Sequence, residues 1–208
     1  MVPSMTWELE QLTDETLSLL AVDGLGGVTL SKLMQASDGV HEVGDQLMSH
    51  TLDDVLPSGA GQMLRKRMGR INASSLRMSA QAANAKLLTA ADPDFPPLLL
   101  PLPACPAILW CRGDVKQLAS AGVGIVGSRR CSSYGVQQTT YFTSEFARAG
   151  FTIFSGGARG IDGVAHRAAI REQSKNVVVL GSGLRMPYPP EHANLFDQVV
   201  EEGGVVIS

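Results

Sequence analysis

Residues 121–162 read AGVGIVGSRRCSSYGVQQTTYFTSEFARAGFTIFSGGARGID, and their rhythm decides the fold. A short apolar run, Val123–Val126, leads into a helical stretch from Ser133 to Ala149, then into a second apolar run, Phe151–Phe154. The alternation continues: helix over Asp162–Glu172, strand over Val177–Leu180, helix over Glu191–Glu201, strand over Val205–Ile207. Strands alternating with helices predict a parallel sheet joined by right-handed crossovers. The apolar runs are continuous, as expected of strands covered on both faces. The fold class is therefore α/β, a Rossmann-like parallel sheet with helices on both faces.

Upstream, residues 1–86 read as a small helical domain. Thr13 can cap a helix running to about Val22, with Asp14 and Glu15 in its first turn, where negative charge is favoured. Gly24, Gly26 and Gly27 break it, and a second helix runs from Thr29 to Ala36. Helix, glycine turn, helix is the shape of a helix-hairpin-helix (SAM-like) module, whose turn amides can meet a DNA phosphate. An ordinary αα-hairpin has the same pattern. Further helices are predicted over His41–Ser49 and Ser58–Lys86. On the last, Arg65, Lys66, Arg67 and Arg70 read as a solvated face, with auxiliary DNA contact as the alternative.

Residues 87–106 read as a Pro-rich linker. Between Ala90 and Pro106 stand six prolines: Pro93, Pro96, Pro97, Pro101, Pro103 and Pro106. Proline fixes φ and removes a backbone donor, so this stretch is expected to be extended and neither helix nor central strand. The α/β domain then covers 107–208, opening with a short strand over Ala107–Cys111 and a turn at Arg112-Gly113-Asp114.

Composition narrows the function classes. Apolar residues make up 44% and charged ones 18%, which suits a packed core and excludes disorder. No stretch reaches the roughly 18 uninterrupted apolar residues of a membrane span. The N-terminus lacks the basic and apolar regions of a signal peptide. Cys105, Cys111 and Cys131 form no CxxC pair and leave one over, which argues against a disulfide framework or a zinc site and fits the cytoplasm. The net charge of −3 is unevenly spread. Residues 122–185 carry eight basic and three acidic side chains, and residues 186–208 carry four acids and no base. A basic segment set between acidic ones marks a localised anion site.

Ligands of such sheets bind outside the carboxyl ends of the strands. There the chain places Gly127-Ser128-Arg129-Arg130, then Ser155-Gly156-Gly157-Ala158-Arg159-Gly160, then Gly181-Ser182-Gly183. Glycine lets the backbone approach an oxyanion, amides and hydroxyls donate to it, and arginine adds a permanent charge with a bidentate fork. Three such turns predict a phosphate-binding rim; taken singly, each glycine can equally serve a tight βα turn. Gly122 to Gly127 formally spells GxGxxG, but within the strand and without an acid after the second strand, so a dinucleotide site is disfavoured. Asp162 and His166 share a helix face. A catalytic pair is conceivable there, and a helix cap beside a locally bonded histidine is the simpler reading. No HExxH or Walker loop is present. Lys175 precedes the third strand, at its amino end by topology.

These residues resemble a known family. Gly124–Arg129, Ser133-Tyr134-Gly135, Ser155–Asp162 with Ala165-His166, Val179–Leu184 and Tyr188-Pro-Pro-Glu-His192 look like the DNA-processing protein A (DprA/Smf) pattern in order and spacing. So do Asp94-Phe-Pro-Pro97 and Pro106–Trp110 with Arg112-Gly113. The resemblance implies single-stranded DNA binding, loading of the RecA recombinase during natural transformation, homodimerisation and no enzymatic activity. It implies no cofactor, metal or catalytic residue. It maps a basic DNA pocket onto Gly127, Ser128, Arg129, Ser155, Gly156, Gly157, Arg159 and Gly160, and it makes Lys175 a DNA-contacting lysine. Two departures stand out: residue 157 is Gly where the family has a larger apolar residue, and the family continues past position 208, so a domain truncated at its carboxyl end is expected. The competing expectation is a nucleotide-processing enzyme, a phosphoribohydrolase on a related fold. That class carries PGGxGTxxE, whereas Ser155-Gly-Gly-Ala-Arg-Gly160 lacks the threonine and glutamate.

Overall fold

The computed structural model describes residues 12–22, 25–38, 42–89, 92–102, 105–106 and 108–208. Gly24, His41, Ala90, Pro103 and Ala107, which enter the expectations above, lie outside these residues. The chain forms two compact units. One runs to Ala82 and takes in 86–109, and the other comprises 83–85 and Trp110–Ser208.

In the first unit, α1 (Asp14–Leu20) begins at Thr13, whose side chain accepts from the Thr16 amide at 3.1 Å. Its Leu17, Leu19 and Leu20 are buried. Helix α2 (Gly27–Ala36) follows, then α3 (Val43–Met48), α4 (Ala60–Met68) and α5 (Ala73–Ala82). The chief partners of α1 are α3, α4 and α5 rather than the α2 of the expected hairpin. The reason is Gly44: a Cβ there would lie 2.2 Å from the Glu15 carbonyl carbon, so only glycine lets α3 cross α1 so closely. The single helix predicted over Ser58–Lys86 is two. Gly69 ends α4, and Asn72 starts α5 by accepting from the Ser75 amide at 2.8 Å. Arg65 is not on a solvated face. It grips Asp53 with both terminal nitrogens and the Leu47 carbonyl at 2.9 Å, and it holds the Asp53 carboxyl down at about 2.

The stretch expected to be a linker contains strand β1 (Lys86–Thr89), with Leu87 and Leu88 buried. Its prolines start turns rather than an extended run. Leu99 and Leu100 donate back to the Pro96 and Pro97 carbonyls, and Phe95 is buried. Proline presets φ for the first central turn position, and its missing donor is not needed there.

The second unit is built on β2 (Ile108–Gly113) from Trp110 onward, β3 (Gly122–Gly124), β4 (Thr152–Gly156), β5 (Asn176–Val179) and β6 (Val205–Ile207). Their spatial order is β2-β6-β5-β4-β3. β3 to β6 run parallel, with Val123 opposite Ile153, Ser155 opposite Val178 and Val178 opposite Val206. β2 is antiparallel to β6. The helices are α6 (Ser133–Arg148), α7 (Ile161–Arg171) and α8 (Ala193–Glu201). The α/β architecture is the expected one, with one difference. Strand order rises steadily from β3 to β6, so crossovers of one hand put all three helices on one face. That face carries Ile153 against Ala165 and Ala169, and Val178 and Val206 against Phe196 and Val199. Within this unit the opposite face is met by a short 3₁₀ turn, Val115–Ala119, packed on β5 and β6.

Candidate nucleic-acid interface

The carboxyl ends of β3, β4 and β5 lie side by side, because Gly124 pairs with Phe154 and Gly156 with Val179. The loops leaving them border a cleft of about 400 Å³, lined by Arg129, Gly157, Arg159, Asp162, Ser182 and Tyr188 among others. The two arginines expected to form the rim therefore face one cavity. Arg129 makes no ion pair among the described residues. Arg159 is half-exposed; its Nε pairs with Glu191, its Nη1 donates to the Tyr188 hydroxyl at 3.2 Å, and its guanidinium lies 5.5 Å from the Tyr188 ring centre. Those contacts push its pKa up, and Arg159 in turn holds Glu191 below the usual carboxylate range.

The glycines divide into two kinds. Gly181 and Gly183 have open space where a Cβ would stand. Gly127 and Gly160 are packing positions: a Cβ on Gly127 would meet Ile161 at 2.7 Å, and one on Gly160 would meet the Ser128 carbonyl oxygen at 2.2 Å. They dock the first turn onto the start of α7, where Ile161 N–H donates to the Ser128 carbonyl at 3.2 Å. Gly157 is enforced from behind, since a Cβ there would lie 2.5 Å from Leu180 and 2.9 Å from Phe196. A larger apolar residue at 157 thus requires the Leu180 and Phe196 side chains to move.

Buried polar groups brace the second turn. His166 Nε2 donates to the Gly156 carbonyl at 2.8 Å, and its Nδ1 lies 2.7 Å from Asn176 Oδ1. His192 donates from Nδ1 to the Gly157 carbonyl at 3.0 Å. Two histidines thus turn consecutive carbonyls inward, away from the cleft. The amides of Gly181 and Ser182 donate to no backbone acceptor among the described residues, so they remain open to a ligand. Burial pushes the His166 pKa down, opposed by its bonds to Asn176 and Gly156 and by the Asp162 charge. Asp162 sits in the first turn of α7, with Oδ2 3.4 Å from the Ala158 amide. It occupies the donor end of α7, so an anion in the cleft relies on the arginines and loop amides instead.

Five residues expected in the pocket do not line it: Gly127, Ser128 and Gly160, which join the first turn to the start of α7, and Ser155 and Lys175. Ser155 is buried, and its hydroxyl donates to the Ile125 carbonyl, tying β4 to the end of β3. Alternation along the strand turns it under the helices. Lys175 directly precedes β5 at its amino end, whereas the cleft lies beyond the carboxyl end at Val179. Its topological position thus sets it apart from this cleft. Sequence reasoning left Tyr188, Glu191, His192 and Asn176 out of the site. The first three stand in the quoted Tyr188–His192 motif, but nothing in the sequence shows that this segment folds back over the second turn.

The model of the family described as DNA recombination-mediator protein A matches residues 86–208. The protein Smf of Synechocystis is 34% identical over 189 residues, which cover 88% of this chain and 47% of that protein. The chain thus spans about half the length of this relative. DNA processing protein A from Streptococcus pneumoniae superposes with a TM-score of 0.73 at 24% identity, over 95% of this chain and 67% of that one, and shares the fold. DNA processing protein A from Helicobacter pylori, described for its single-stranded DNA binding mode, gives a TM-score of 0.52 at 28% identity over 61% of this chain and 56% of its own. With more than half of its length matched by this family's model, the chain belongs to the DNA recombination-mediator protein A family.

Proposed function

We propose that the chain binds single-stranded DNA and that the cleft at the carboxyl ends of β3, β4 and β5 holds its phosphates. The observation that carries this reading is the convergence of Arg129, Arg159 and open loop amides on one cavity. A fixed charge supplies attraction, and amides with no protein acceptor supply directed donors. The single-stranded DNA binding described for the Helicobacter pylori protein supports it.

Fluorescence anisotropy with a labelled oligothymidylate at two salt concentrations tests it. Affinity is expected to fall as salt rises, because neutralised phosphates release counterions. Arg129→Ala is expected to lose about 1–3 kcal/mol of binding and to lower the salt slope by about one. Arg159→Ala is expected to lose less, because Glu191 already engages that guanidinium. Wild-type affinity in both variants would remove the cleft from consideration. The enzyme reading is disfavoured by the missing threonine and glutamate, and release of base from nucleoside monophosphates would restore it.

The same reading makes the protein a cytoplasmic recombination mediator that acts as a homodimer and passes the strand to RecA, without turnover. The family's description supports the mediator role. Sedimentation of the protein and its capture by immobilised RecA are the measurements for the two partners. Among the described residues no helix is long and apolar enough to cross a membrane.

A further inference from the structure

We propose that Glu191 is an acidic placeholder that occupies Arg159 until a phosphate of the bound strand displaces it, so that Glu191 sets how strong an anion must be to enter the cleft. The proposal rests on the DNA-binding reading of the cleft. Arg112, Arg148 and Arg159 of this unit all pair with carboxylates, but only Arg159 also lines the cavity. Arg159 and Glu191 each keep 49% of their side-chain surface exposed, so their bond is the weak, solvent-screened kind. A phosphate oxygen pair offers the same guanidinium a bidentate and stronger partner.

Arg159 is also held by contacts that survive the exchange. Its bond to the Tyr188 hydroxyl and its place over the Tyr188 ring involve no carboxylate, so the guanidinium stays at the cleft when Glu191 leaves. Glu191 itself comes from a braced turn. It lies in the 3₁₀ segment Pro190–His192, and His192 is anchored on the Gly157 carbonyl. The carboxylate is therefore presented to the cleft from a fixed position. A single anion meets Arg159 already neutralised. A strand that reaches Arg129 and the loop amides at the same time gains enough contacts to replace Glu191.

The test titrates the labelled oligothymidylate into the whole chain as wild type, Glu191→Gln, Arg159→Ala, the double variant, Arg129→Ala and Glu201→Gln. Melting curves confirm that each is folded. Glu191→Gln is expected to bind roughly fivefold tighter, as for release of one exposed ion pair. The gain is expected to vanish in the Arg159→Ala background. Glu201→Gln removes the same charge from the exposed end of α8 and is expected to leave affinity unchanged. As a readout independent of affinity, the Arg159 Nε–H resonance is expected to shift on adding oligothymidylate and to shift likewise in Glu191→Gln. Unchanged or weaker binding by Glu191→Gln, a gain that persists without Arg159, or an equal gain from Glu201→Gln would each overturn the placeholder. If Arg129→Ala weakens binding while Glu191→Gln does nothing, only the placeholder fails. If Arg129→Ala and Arg159→Ala are also silent, the reading of the cleft fails with it.

Discussion

Gly160→Ala is expected to lower the stability of the α/β unit by about 3 kcal/mol, a fall in melting temperature of roughly 12–24 °C. Gly160 has φ 76 and ψ −127, a conformation L residues avoid, and strain of that kind is worth about 1–3 kcal/mol. The added Cβ also stands 2.2 Å from the Ser128 carbonyl oxygen and 2.8 Å from the Arg129 carbonyl carbon. These are backbone atoms, so no rotamer change relieves the clash. The loop carrying Arg129 must shift, and oligothymidylate affinity is expected to fall together with stability. Gly203→Ala separates the two effects. Gly203 has φ 78 but open space around a Cβ, so only the strain applies there. Thermal unfolding by circular dichroism measures both variants. Equal losses would mean that the contact between the first turn and α7 contributes nothing.

His166→Leu is expected to cost about 2–4 kcal/mol and to weaken binding through the loop it braces. Leucine has a similar size, so the loss comes from polarity rather than from a cavity. The Gly156 carbonyl would lose its buried donor. Acid sensitivity provides a second readout. The folded-state pKa of His166 lies below its ordinary value of 6.5. Between the two values the unfolded chain binds a proton that the native chain does not, so native stability falls as pH drops through about 6.5. Glu172 and Glu191 have lowered pKa values too, but their contributions are lost only below their ordinary 4.5. Urea unfolding at about pH 7.5 and about pH 5.5 isolates the histidine contribution. Wild type is expected to lose stability between the two, and His166→Leu to lose less. An equal loss in both would place the acid sensitivity elsewhere.

Much of the α/β unit was legible because its pattern is local. The buried runs of β4, β5 and β6, the helix from Ser133, and the Gly- and Arg-bearing turns follow from period, apolarity and turn chemistry along the chain, whereas the run expected to be buried at Val123–Val126 is an edge strand with Val123 half-buried and Val126 exposed. β3 stops at Gly124 instead of Val126, and α6, α7 and α8 share one face. Neither could be read locally, because strand order is a property of the whole sheet. In the helical unit, the break at Gly69–Asn72 was hidden by helix formers on both sides, and β1 is too short to show a period. The Pro-rich stretch misled because proline serves turns as well as extended chain.

By itself the sequence determined the α/β class, the three glycine turns at the strand ends and the two arginines of the rim, since each depends on neighbours within a few positions. Only the tertiary structure decided what those residues do. It turned Ser155 under the helices, put Lys175 at the far end of its strand, and made Gly127 and Gly160 packing contacts. It also brought Glu191 across to Arg159, 32 positions away in the chain. Such pairings depend on how separate strands align and on which atoms fill the space between them, and no local pattern records either.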